Sequence, residues 1–86
     1  MSENDISLFP NPATVEINVA VQMKKDFSSE ILILDLGGRQ VLTQTTDFYE
    51  GQNQFKLQIS DLPAGVYFVS INDGGEKPVL KKFIKN

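Results

Sequence analysis

The sequence contains no cysteine and no histidine. Without cysteine there are no disulfides, no thiolate metal sites and no cysteine nucleophile. Without histidine the usual general base, the commonest zinc ligand and every Ser-His-Asp arrangement are gone. Catalysis would fall to carboxylates and lysines, as a carboxylate pair in a cleft that so small a domain rarely builds. An enzyme is therefore not expected, and no motif implies a cofactor. No apolar run approaches the ~18 residues of a membrane-spanning helix, so no membrane insertion is expected. The opening "MSENDISLF" lacks the basic and apolar segments and the cleavage site of a secretory signal peptide. Such a start fits either a cytoplasmic chain or a piece of something larger.

What is present is 86 residues, 41% hydrophobic and 22% charged, which reads as one globular domain with a simple core. The net charge of −3 is unevenly placed. Residues 77–86 carry Lys77, Lys81, Lys82 and Lys85 and no acid, while the preceding residues hold eleven acids against four basic groups, so the body is −7 and the tail +4. That balance argues against nucleic-acid binding and singles out the C-terminus.

The dominant hydrophobic period is two. "TVEINVAVQM" sets Val15, Ile17, Val19 and Val21 on one face; "NQFKLQI" does the same with Phe55, Leu57 and Ile59; "VYFVSI" does it with Tyr67, Val69 and Ile71. "EILILD" is apolar on both faces, as a central strand or one with a covered outer face would be. "ISLF", "VLTQTTDF" and "PVLKKFIK" complete seven strands, separated by turn-rich gaps such as "PNPA", "LGGR" and "SDLPAG". The pattern predicts an all-β fold, a seven-stranded antiparallel sandwich of the immunoglobulin or fibronectin type III kind. Its expected core is Val15, Ile17, Val19, Ile31, Ile33, Phe55, Leu57, Tyr67, Val69 and Ile71. Within "LPAGVYFVSI", Tyr67 is placed to return its hydroxyl to nearby backbone at the corner between the sheets, with Pro63 and Gly65 shaping the turn. If Ile31 and Ile33 point inward, Leu32, Leu34, Val66 and Phe68 form an exposed apolar patch suited to docking on a neighbouring domain, a second copy or another protein.

Four pieces, "SLFPNPAT", "ILDLGGRQV", "GQNQFKLQISDLPAGVYFVSI" and "KKFIKN", stand in an order and spacing that resemble the C-terminal sorting domains of type IX secretion cargo proteins. The likeness is closest to the type A members of that family, from the Bacteroidetes, and covers about residues 6–86. Residues 1–5 are read as an N-terminal linker or added segment. The resemblance implies a non-catalytic signal at the end of a larger secreted protein. It would direct an N-terminally fused cargo from the periplasm across the outer membrane, often followed by removal by a surface sortase and attachment to the cell surface. The implied partners are translocon or shuttle components and the sortase, with weak self-association as a further expectation. The family's motifs fall on Pro10, Asn11 and Pro12; on Asp35, Gly38 and Arg39; on Leu62, Pro63, Gly65 and Tyr67; and on Lys82, Ile84 and Lys85. Leu80 and Leu34 depart from it, standing where a polar residue and a tyrosine are common.

Each motif also has a plainer reading. Pro10-Asn11-Pro12 is either a stiff turn or an exposed recognition element. Asp35 and Arg39 read as an ion pair bracing a tight turn. Asp73-Gly74-Gly75-Glu76 reads as a hairpin tip rather than a calcium loop. Lys81, Lys82 and Lys85, with Ile84 and Asn86, either guard an edge strand or offer a basic strand to an acidic groove. "FIKN" is expected to contribute little to the core. The competing function is an autonomous fibronectin-like binding or accessory module of a larger secreted enzyme.

Overall fold

A computed structural model describes residues 2–72, 74 and 77–86. Among these residues, after a 3-10 turn at Glu3–Asp5, seven strands follow: β1 (Ile6–Phe9), β2 (Glu16–Met23), β3 (Phe27–Asp35), β4 (Gln40–Phe48), β5 (Gly51–Gln58), β6 (Gly65–Ile71) and β7 (Val79–Lys85). They form two sheets, one in the order β1-β2-β5 and one in the order β4-β3-β6-β7, with every neighbouring pair antiparallel.

The alternation read in the sequence decides which side chains are shared between the sheets. Ile17, Val19, Val21 and Met23 of β2 and Leu57 of β5 meet Ile31 and Ile33 of β3 and Tyr67, Val69 and Ile71 of β6 in one core. Phe55 is half-buried against it and meets the ring of Phe48 edge-on at 5.7 Å. Fully burying a side chain of this class stabilises by about 1.5–3 kcal/mol, so this shared layer supplies most of what holds the sheets together.

Val15 departs from the expectation: it is 56% exposed. The ladder between β2 and β5 begins one residue later, at Glu16 opposite Gln58, so the alternation inferred from Val15 onward has no sheet beneath its first member. Val15 contributes its carbonyl to Ile59 N–H at 2.9 Å, and Ala13, fully buried, occupies the core instead.

The last strand also differs from the expectation. Phe83 is fully buried and stacks on Tyr67, with ring centroids 5.6 Å apart. "FIKN" therefore carries a core aromatic. Of the 73–76 segment only Gly74 lies among the described residues; the choice between hairpin tip and calcium loop falls outside them.

Candidate functional site

Two motifs at opposite ends of the sequence come together on one edge of the four-stranded sheet. Ile84 N–H donates to Asn11 Oδ1 at 3.0 Å. Ala13 N–H donates to Ile84 O at 2.9 Å, and Asn86 N–H donates to Ala13 O at 2.8 Å, which lays residues 11–13 parallel to the end of β7. Pro10 and Pro12, both preceded by cis peptide bonds, flank this contact and are exposed. Neither proline has an N–H to donate, so the side chain of Asn11 and the backbone of Ala13 make the seam.

The pairing of β7 with β6 sorts the C-terminal side chains by face. Val79, Lys81, Phe83 and Lys85 lie opposite Ile71, Val69, Tyr67 and Gly65; Leu80, Lys82 and Ile84 lie opposite Ser70, Phe68 and Val66. Lys85 is 8% exposed and its Nζ donates to Asn86 O at 3.0 Å. Lys81 Nζ lies 3.6 Å from Glu3 Oε1, which ties the N-terminal turn to the same strand. Lys82 is exposed on the outer face, and Asn86 is exposed beyond it. The sequence treats the three lysines as equivalent; the strand separates them.

Leu32, Leu34, Val66 and Phe68 are each half-buried on the outer face of the four-stranded sheet, with Leu34 opposite Phe68. Leu80 and Ile84 extend the same face and are 43% and 42% exposed. Ser70, at its centre, is buried among its larger neighbours. On the three-stranded sheet the corresponding face is Glu16, Asn18 and Gln22 of β2 with Gln52, Gln54, Lys56 and Gln58 of β5. The outer face of the three-stranded sheet is thus mostly amides and charges, with Phe9 of β1 42% exposed opposite Asn18, while that of the four-stranded sheet carries an aliphatic and aromatic patch flanked by Glu30 and Lys82. The parity of β7 was the signal needed to add Leu80 and Ile84, and two lysines on its inner side obscured it.

The remaining motif residues brace turns. Tyr67 Oη donates to Pro63 O at 2.6 Å, closing the corner before β6 while Leu62 packs against the core. Gly65 opens β6, and a Cβ there would lie 4.0 Å from the Tyr67 ring. Asp35 accepts Arg39 N–H at 2.8 Å and Arg39 Nε–H at 2.9 Å, across a turn in which Gly38 takes φ +87°. The Arg39 backbone N–H, and then its guanidinium, hold the Asp35 carboxyl below its usual value of 3.8. Among the described residues no cluster of three or more acidic side chains is placed to hold a metal ion.

This arrangement joins a proline-rich segment near the start to a basic strand at the end, over nearly the whole chain. The family model for the secretion system C-terminal sorting domain matches residues 7–86. The chain belongs to the type IX secretion system C-terminal sorting domain family. A search of curated proteins finds no match to it. Sorting domains of this family are in general non-catalytic. They act with the type IX machinery on an N-terminal cargo and export it across the outer membrane to the cell surface or the extracellular space.

Proposed function

We propose that this sorting domain is recognised as a folded unit through the edge at which residues 10–13 meet β7, during transit of its cargo through the periplasm. The observation that carries this reading is the hydrogen-bonded seam between Asn11, Ala13, Ile84 and Asn86, because it makes one surface of two motifs that the sequence keeps far apart. Lys82 and Ile84, exposed beside that seam, are the side chains offered to a shuttle or translocon component. Removal by a surface sortase and attachment of the cargo to the cell surface follow export. The strand order and the Tyr67 hydroxyl returning to Pro63 support an immunoglobulin or fibronectin type III-like sandwich, and the motif positions support a type A member.

The test is a fusion of a signal peptide, a reporter and this chain in a bacterium with type IX secretion. Reporter activity is expected at the surface or in the medium for the intact fusion and in the periplasm for Lys82→Glu. Retention of the intact fusion in the periplasm would move the assignment to a fibronectin-like accessory module.

A further inference from the structure

The two charges that flank the outer apolar face of the four-stranded sheet stand in a definite relation to its centre. Leu32 of β3 and Leu80 of β7 lie on either side of the buried Ser70 of β6, at the same level. Two residues along, Leu34 and Lys82 lie on either side of Phe68. Two residues the other way from Leu32, and on the same face, is Glu30. Glu30 and Lys82 are therefore at opposite corners of the patch with Ser70 midway between them. Each is one strand and two residues from Ser70, about 8 Å on the regular spacing of a sheet.

Both side chains are exposed. The ion pairs found among the described residues join Asp35 to Arg39, Glu16 to Lys56 and Glu3 to Lys81, and involve neither Glu30 nor Lys82. An apolar face with an acid at one corner and a base at the opposite corner is complementary to itself once turned over. That complementarity selects a second copy of the chain as its occupant.

The ladder positions fix how the copies fit. Stacked sheets favour strands that cross at about 30° or about 90°. In the second arrangement a two-fold axis lying in the interface, from Ser70 towards Leu34, brings Glu30 of each copy within about 3 Å, in projection, of Lys82 of the other. The pair forms twice by symmetry. The same rotation lays Phe68 of each copy over Leu32 of the other and Leu34 over its own counterpart, so apolar side chains meet apolar side chains between the two charge pairs. Stacked sheets lie about 10 Å apart, a gap that a glutamate and a lysine side chain span together. We propose that two copies of this chain pack face to face through the outer side of the four-stranded sheet, with Glu30 and Lys82 paired across that axis. The proposal goes beyond the sorting role and does not rest on it. Lys82 is withheld from any other partner while the dimer lasts.

A patch three strands wide covers roughly 300 Å² of each copy, below the size of a stable interface, so the association is weak. Sedimentation equilibrium of the full chain from about 10 μM to about 1 mM brackets it. The wild type should show a reversible monomer–dimer equilibrium. Glu30→Lys and Lys82→Glu should each weaken it by about tenfold or more, since each alone sets like charges together at both ends. An equimolar mixture of the two variants, or both substitutions in one chain, should restore dimerisation, because opposite charges then face each other again. Restoration also shows that the variants are folded. Leu34→Lys, which brings two ammonium groups together near the axis, should abolish the dimer while thermal melting stays cooperative. A wild type monomeric throughout overturns the proposal and leaves the face to a neighbouring domain. So does a dimer that Glu30→Lys leaves unchanged, or a charge-swapped mixture that stays monomeric.

Discussion

The side-chain oxygen of Asn11 accepts the backbone N–H of Ile84 at 3.0 Å, across 73 positions of the sequence. The bond joins the proline-flanked segment to the last strand, β7. Asn11→Ala leaves that N–H without its protein partner, with an expected loss of about 1 kcal/mol. Amide exchange at Ile84 and Asn86 should accelerate more than at Val69, in the central strand β6. Uniform protection across all three would show that the seam does not hold the strand end.

Tyr67 has two separable roles. Tyr67→Phe keeps the stack on Phe83 and loses only the bond to Pro63 O, so about 1 kcal/mol is expected. Tyr67→Ala removes the ring as well and should cost about 3 kcal/mol or more. Urea denaturation of both variants separates the contributions, and equal losses would refute the division.

Asp35 gives the domain an acid-sensitive turn. Its carboxyl titrates lower in the folded chain than its ordinary value of 3.8 because Arg39 N–H and the guanidinium stabilise the anion. The unfolded chain therefore binds the proton first as pH falls, and the contribution, complete above the unfolded value, is lost as pH drops through the folded one. Asp35→Asn should flatten the fall in melting temperature between about pH 5 and pH 2. An acid limb as steep as that of the wild type would remove the turn from the pH dependence.

Export and stability can be separated at the C-terminal lysines. Lys82→Glu changes an exposed side chain and should shift stability by no more than about 0.5 kcal/mol, while the reporter fusion is retained in the periplasm. Lys85→Glu replaces a buried side chain bonded to Asn86 O and should cost about 2 kcal/mol. Deleting residues 83–86 removes the Phe83 ring, so retention of that fusion would report unfolding as much as lost recognition. Normal export of Lys82→Glu, in a domain that melts as the wild type does, would clear this face of a role.

The period-two pattern made the seven strands and most of the core legible, because a half-buried strand must alternate and Ile17, Ile33 and Val69 do. It misplaced Val15, since alternation does not say where the ladder with β5 starts. Lys81 and Lys85 share their side of β7 with Phe83, so charge masked the parity that packing enforces. The same masking hid Leu80 and Ile84 as members of the outer apolar face. The seam between Asn11 and Ile84 was out of reach for a different reason: one amide side chain meeting one backbone N–H leaves no periodicity behind.

The parallel run of residues 11–13 beside β7 also settles how the fold bears tension. A pull on the chain before Pro10, opposed by a hold on Asn86, draws two parallel segments in opposite directions along their common axis. Once β1 has peeled away, the three hydrogen bonds among Asn11, Ala13, Ile84 and Asn86 are loaded together, in shear, and none can open ahead of the others. An antiparallel hairpin pulled from its open end would unzip one rung at a time. A pull between the two ends of the domain thus meets shear rather than unzipping at the joint between them.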